Sequence, residues 1–186
     1  MRRRLPMALL GLVVWVLAGC STATGAAPAA GPQGTPGTNQ ADITFSQQMV
    51  PHHQQSIQVA NLASERSASE FVKATATKII KAESAEVQTM TGWLQSWNAA
   101  VLPAAGHAGH AMPGMITEGQ VASLQNLSGA EFDKTWLPLM AEHLRNGVTM
   151  AKTVLTAGEH AETKALAEEI VENQTAAIDE ITAQIS

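Results

Sequence analysis

Methionine precedes histidine by one helical turn twice in this chain, as Met49-x-x-His52 and as Met140-x-x-His143. At about 100° per residue, Phe45, Met49, His52, Ser56 and Val59 share one arc of a helix, with His53 at its flank. Trp136, Met140, His143, Gly147, Met150 and Val154 share a matching arc further on. Both arcs carry apolar residues, so both should face a core, and His52 and His143 should point inward. Glu83 falls near the middle of a third apolar arc, formed by Val72, Ile79, Met90, Leu94 and Trp97, with Glu86 nearer its edge. A carboxylate in that position is costly unless it is paired or binds a metal. Imidazole and thioether together favour copper, particularly Cu(I), over hard cations. The interior candidate set is therefore Met49, His52, His53, Glu83, Met140, His143 and Met150. A plainer arrangement is equally open: His52, Glu83 and His143 satisfy one another by hydrogen bonds, and the methionines fill core. A second candidate is the tract from His107 to Met115. It places His107, His110, Met112 and Met115 among small residues, the donors a mobile copper-binding loop would need. Its methionines could equally pack on the body of the protein. His160, beside Gly158, reads as a solvated or capping residue.

Helices must hold these side chains. The chain has no Tyr, shows no alternating strand pattern and is rich in Ala. Asp42 is expected to cap a first helix running to about residue 64. Ser67-Ala68-Ser69-Glu70 has capping-box spacing and opens a second, to about residue 98. Thr117 with Gln120, then Ser128 with Glu131, repeat the device, bracketed by the apolar pairs Ile116/Val121 and Leu127/Phe132. Gly158 suits the end of the helix begun at Ser128, and a last helix runs from about 161 to 185. Pro51 and Pro138 fall inside helices and should disturb them locally. Four long helices plus a short one predict an all-α, four-helix bundle over residues 41–186. An ungapped shift of 91 residues places Asp42 on Asp133, Phe45 on Trp136, Met49 on Met140 and His52 on His143. The same shift places Ile79 on Ile170 and Glu83 on Gln174. Each half is thus one helical hairpin, the first about 42–98 and the second about 128–186, with the His/Met loop 99–116 between them.

The first nineteen residues read as a signal peptide. Arg2, Arg3 and Arg4 precede an apolar run from Leu5 to Ala18, shorter than the ~20 residues that span a bilayer. Leu17-Ala18-Gly19-Cys20 offers small residues before the sole cysteine, as lipoprotein processing requires, so Cys20 is expected to carry lipid. Acylation would use up the lone thiol and hold the chain to a membrane surface on its extracytoplasmic face. Residues 20–40, rich in Ser, Thr, Ala, Gly and Pro, then form a disordered tether. Without the three leader arginines, the 11 basic residues fall to 8 against 16 acidic ones, a formal charge of −8. That argues against nucleic acid and mildly favours cations.

Met49-Val50-Pro51-His52-His53-Gln54, followed by Val59-Ala60, resembles the signature of the secreted family called domain of unknown function 305. Glu83-x-x-Glu86-Val87-x-x-Met90 is similar to that family's second-helix pattern. The resemblance covers about residues 41–186 and implies a ferritin-like four-helix fold. It also implies a copper role through Met and His, as associated with some extracytoplasmic members, and carries Met49, His52, His53, Met140 and His143 over as ligands. The second repeat of the family commonly has its own His-His pair. Here that position reads His143-Leu144, so one ligand of a symmetric site is missing.

Three functions follow in order. The first is a membrane-tethered protein that sequesters copper without turnover. The second is a helical envelope module, structural or protein-binding, with no metal. The third is a ferritin-like redox enzyme, which would need Glu-x-x-His motifs. None of the six histidines has a Glu three residues before it. Hydrolase signatures such as Gly-x-Ser-x-Gly and His-Glu-x-x-His are absent.

Overall fold

A computed structural model describes residues 37–102 and 114–185. Cys20, the leader and the tether up to residue 36 lie outside the described residues, as do His107, His110 and Met112 of the loop; Asn39 and Gln40, expected in a disordered tether, instead cap and begin the first helix. The described chain is helical: α1 (Gln40–Arg66), α2 (Glu70–Ser96), α3 (Glu118–Asn126), α4 (Gly129–Ala157) and α5 (Ala161–Ile185). α1 packs on α2 and α4 on α5 as two hairpins, which meet chiefly through α1 and α4, and short α3 rests on both of those. None of these helices is long and apolar enough to cross a membrane.

Of the four helix starts read from caps, one forms as expected and three are corrected. α1 is capped by Asn39, not Asp42; Asp42 is the third residue of the capping box, its carboxylate accepting the Asn39 amide. α2 is capped by Ser69, whose hydroxyl oxygen accepts the Val72 amide, while Ser67 ends α1. Thr117 and Gln120 form the expected box on α3, and Ser128 stands at the α4 start with no side-chain cap bond. Gly158 ends α4 in an extended conformation rather than a left-handed one. Its glycine identity has another cause: a Cβ there would lie 2.4 Å from Asp42 Oδ1. Both α1 and α4 continue as helices through Pro51 and Pro138.

The repeat is a physical symmetry. Residues 91 apart touch each other at two places: the His52 and His143 rings stack, and the Gln174 amide donates to Glu83. Equivalent residues meet only on a two-fold axis, so a pseudo-two-fold passes through both contacts. Two apolar clusters flank this polar layer. One gathers Phe45, Met49, Val50, Met90, Val154 and Ile170; the other gathers their mates Trp136, Met140, Ala141, Ile181, Ala63 and Ile79. Fully buried side chains of this size each contribute roughly 1.5–3 kcal/mol relative to exposure. The Trp136 indole also donates to the Val59 carbonyl at 3.1 Å, so its one polar atom is satisfied.

Asp42 and Asp133, themselves repeat mates, each reach the turn of the opposite hairpin. Asp42 accepts the Glu159 and His160 amides, and Asp133 accepts the Ser67 hydroxyl. His160 caps α5 by accepting the Thr163 amide, as Ser69 caps α2.

Candidate metal centre

The polar layer between the apolar clusters is built mainly by hairpin one. Glu83 and Glu86, one turn apart, lie on a single face of α2. That face meets His53 on α1. His53 is fully buried: Nε2 lies 2.6 Å from Glu86 Oε2, and Nδ1 lies 3.8 Å from Glu83 Oε2. The short contact is an ion pair that is not aligned as a hydrogen bond. Burial by itself would lower the His53 pKa, but the charge of Glu83 and the contact with Glu86 outweigh it, leaving it above the usual histidine value. Burial pushes Glu83 up to about 7; His53, Ser56 and Gln174 oppose that rise, and neighbouring Glu86 adds to it. Hairpin one therefore buries an imidazole that favours its proton between two carboxylates.

His52 and His143 do something different. Their rings stack with centroids 3.7 Å apart and planes 7° from parallel. Ring-nitrogen lone pairs lie in the ring planes, so no ion can lie in line with both rings in this arrangement. His143 Nε2 is 3.1 Å from the His52 carbonyl oxygen, and Nδ1 is 3.1 Å from the Gly114 carbonyl oxygen. A neutral imidazole has one N–H, so it can donate to only one of them. Burial holds His143 down at about 4 and, with the nearby His143 and His53, holds His52 well below the usual value. Neither ring nitrogen of His52 has a hydrogen-bond partner among the described residues.

The structure thus departs from the hydrogen-bonded set that the plainer sequence reading offered. His52, Glu83 and His143 do not satisfy one another: Glu83 faces His53 and Gln174, and His143 faces two carbonyls. His53, expected at the flank, is wholly inside. Glu86, expected at the edge, makes the shortest contact in the layer. One signal in the sequence points to it: the repeat mates of His53, Glu83 and Glu86 are Leu144, Gln174 and Ala177, so the three are replaced together.

The methionines lie elsewhere in the core. Met49 and Met140 belong to opposite apolar clusters, and the Met140 sulfur accepts the Ser56 hydroxyl at 3.7 Å. Met150 lies seven residues beyond His143, about 10 Å along α4. It lines a surface groove of about 270 Å³ with Phe45 and Val154 instead of joining the imidazoles. Met115 is half-buried in the stretch leading into α3. Among the described residues, no three His, Cys, Asp or Glu side chains already converge as a cation's ligand set.

The residues nevertheless suit a cation in one respect. Among the described residues, His52 Nδ1 and Nε2 are buried without hydrogen-bond partners, and such atoms are costly unless something satisfies them; Glu83 Oε2 and Glu86 Oε2 face the His53 ring beside them. Imidazole nitrogen and carboxylate oxygen are donors copper accepts.

A comparison with curated proteins finds no match. Solved structures do match. A DUF305 fragment from Deinococcus radiodurans is 26% identical with a TM-score of 0.72, covering 81% of this chain and 98% of its own. A protein from Streptomyces coelicolor assigned to DUF305 and inferred to be secreted is 31% identical with a TM-score of 0.66, covering 76% of this chain and 88% of its own. CopM in its Cu(II)-bound form is 28% identical with a TM-score of 0.68, covering 77% of this chain and 95% of its own; Cu(I)- and Ag-bound forms of CopM also match. The sequence profile of the family described as domain of unknown function (DUF305) matches residues 42–185. With nearly the whole helical region inside that match, this chain belongs to the DUF305 family.

Proposed function

We propose that this chain is a lipid-anchored, extracytoplasmic copper-binding protein that holds its ion for sequestration and catalyses nothing. The observation that carries the reading is the buried group of His52, His53, Glu83 and Glu86. It sets the unpartnered ring nitrogens of His52 near an imidazole that favours its proton between two carboxylates, in a fold shared with a protein crystallised with copper and silver. The raised pKa of His53 favours a proton, and with it a positive charge, between Glu83 and Glu86. A metal cation would take over that role, releasing the proton and turning His53 into a neutral ligand. His52, Glu83 and Glu86 would complete the set. His143 joins only by giving up one of its carbonyl contacts. The lone Cys20, in its small-residue setting after an apolar leader, supports placement on a membrane surface.

The test is competition between residues 41–186 and a copper chelator, run anaerobically with Cu(I) and separately with Cu(II). His53→Ala should remove the tight equivalent, and replacing residues 107–115 should leave it in place. Met49→Leu and Met140→Leu, near-isosteric swaps costing less than about 1.5 kcal/mol of stability, separate thioether ligation from packing. If they weaken Cu(I) but not Cu(II), the sulfurs are ligands. Binding no tighter than that of a helical bundle lacking these residues would overturn the proposal.

A further inference from the structure

Gly114 to Thr117 crosses from α4 toward α1 before entering α3, and it is pinned at two points. The Gln55 amide on α1 grips Ile116 from both sides: its Nε2 donates to the Ile116 carbonyl at 2.8 Å, and its Oε1 accepts the Ile116 amide at 2.7 Å. The Gly114 carbonyl lies on His143 Nδ1. Gly114 itself has φ +86, and a Cβ there would meet Asn146 at 2.3 Å. Only glycine fits this close approach to α4.

His143 is 1% exposed and both its ring nitrogens face carbonyl oxygens. To ligate an ion, it must break one of these contacts. The His52 carbonyl belongs to the interior of α1 and moves only with the helix. The Gly114 carbonyl belongs to a short extended strap. We propose that Gly114–Thr117 is a release latch on the buried imidazoles: His143 can turn Nδ1 toward an ion only when the strap lets go, and Gln55 sets how readily it does. Gln55 is a positioning residue, since its amide is committed to Ile116 and contacts none of the candidate ligands. The inference rests on the copper reading, and deepens it by assigning control of loading to a segment outside the ligand set.

The test uses the full chain in detergent, with Gln55→Ala and Gly114→Ala. Without metal, hydrogen exchange at Gly114, Met115 and Ile116 should rise in both variants, reporting a loosened strap independently of any ion. Cu(I) loading from a chelator should then accelerate by about tenfold, the effect of losing one well-made amide grip, while removal by excess chelator changes little. Equilibrium affinity should rise by about the same factor, because the grip stabilises only the metal-free, latched state. Faster hydrogen exchange with unchanged Cu(I) loading would overturn the latch while leaving the copper reading intact. Unchanged hydrogen exchange would also overturn it, by showing that Gln55 does not hold the strap. Failure of the unsubstituted chain to take up Cu(I) would instead remove the copper reading, and the latch with it.

Discussion

The two hairpins fold alike and bury different chemistry. Hairpin one places His53, Glu83 and Glu86 in mutual contact; hairpin two has Leu144, Gln174 and Ala177 at the equivalent positions. Meanwhile, the residues on the axis and in the apolar clusters are kept: His52 with His143, Met49 with Met140, Phe45 with Trp136. Packing thus constrains both halves, whereas the charged group occurs in one. Three touching residues replaced together are parts of one device, since leaving any one of them behind would strand a buried charge at a cost of several kcal/mol.

The sharpest way to break this comparison is to copy hairpin two into hairpin one with His53→Leu, Glu83→Gln and Glu86→Ala. Copper affinity by chelator competition should fall by at least roughly a hundredfold, with the helical circular dichroism retained because hairpin two already folds with those residues. Retained affinity would move the site away from hairpin one. The next largest effect separates the two inter-hairpin contacts. Asp42→Ala removes an acceptor of three backbone amides, those of Asn39, Glu159 and His160, and should cost about 3 kcal/mol in urea unfolding. Asp133→Ala removes one Ser67 hydroxyl bond and should cost about 1 kcal/mol. Equal costs would show that the two ends are not as unequal as their hydrogen bonds.

A further effect is in pH. Because the folded pKa of Glu83 is raised from 4.5 to about 7, its protonated form favours the fold. That contribution is complete below pH 4.5 and is lost as pH rises through 7. Glu83→Gln, which imitates Gln174, removes this loss. The metal-free variant should therefore gain on the unsubstituted protein between pH 4.5 and 7, by about 3 kcal/mol. His143, lowered from 6.5 to about 4, contributes stability above 6.5 that is lost toward pH 4. It does so in both proteins, so its effect drops out of the difference; His53 does not, because the charge of Glu83 helps to raise it, so the comparison is made with His53→Leu in both proteins. A stability difference flat across that range would mean that Glu83 is not held protonated.

Periodicity, caps and the 91-residue repeat were enough to read the helices, the two-hairpin organisation and the inward direction of His52 and His143 from the chain alone. These are local or translational properties: a helix face and a cap depend on residues within four positions, and a repeat needs only comparison of the chain with itself. What sits beside what across the interior was not legible. His53, a candidate ligand, and Glu86, which was not one, lie at the margins of their arcs, so neither helix taken singly showed that they meet, and only the packing of α1 on α2 brings them together. The stack of His52 on His143 depends on an axis that appears when two hairpins dock. The methionines shared a helical turn with the histidines yet went to opposite apolar clusters. Sequence by itself determined which elements form and which faces they bury. Tertiary structure decided which buried polar groups meet, because a pairing distance of a few ångströms is set by how helices pack and not by their spacing in the chain.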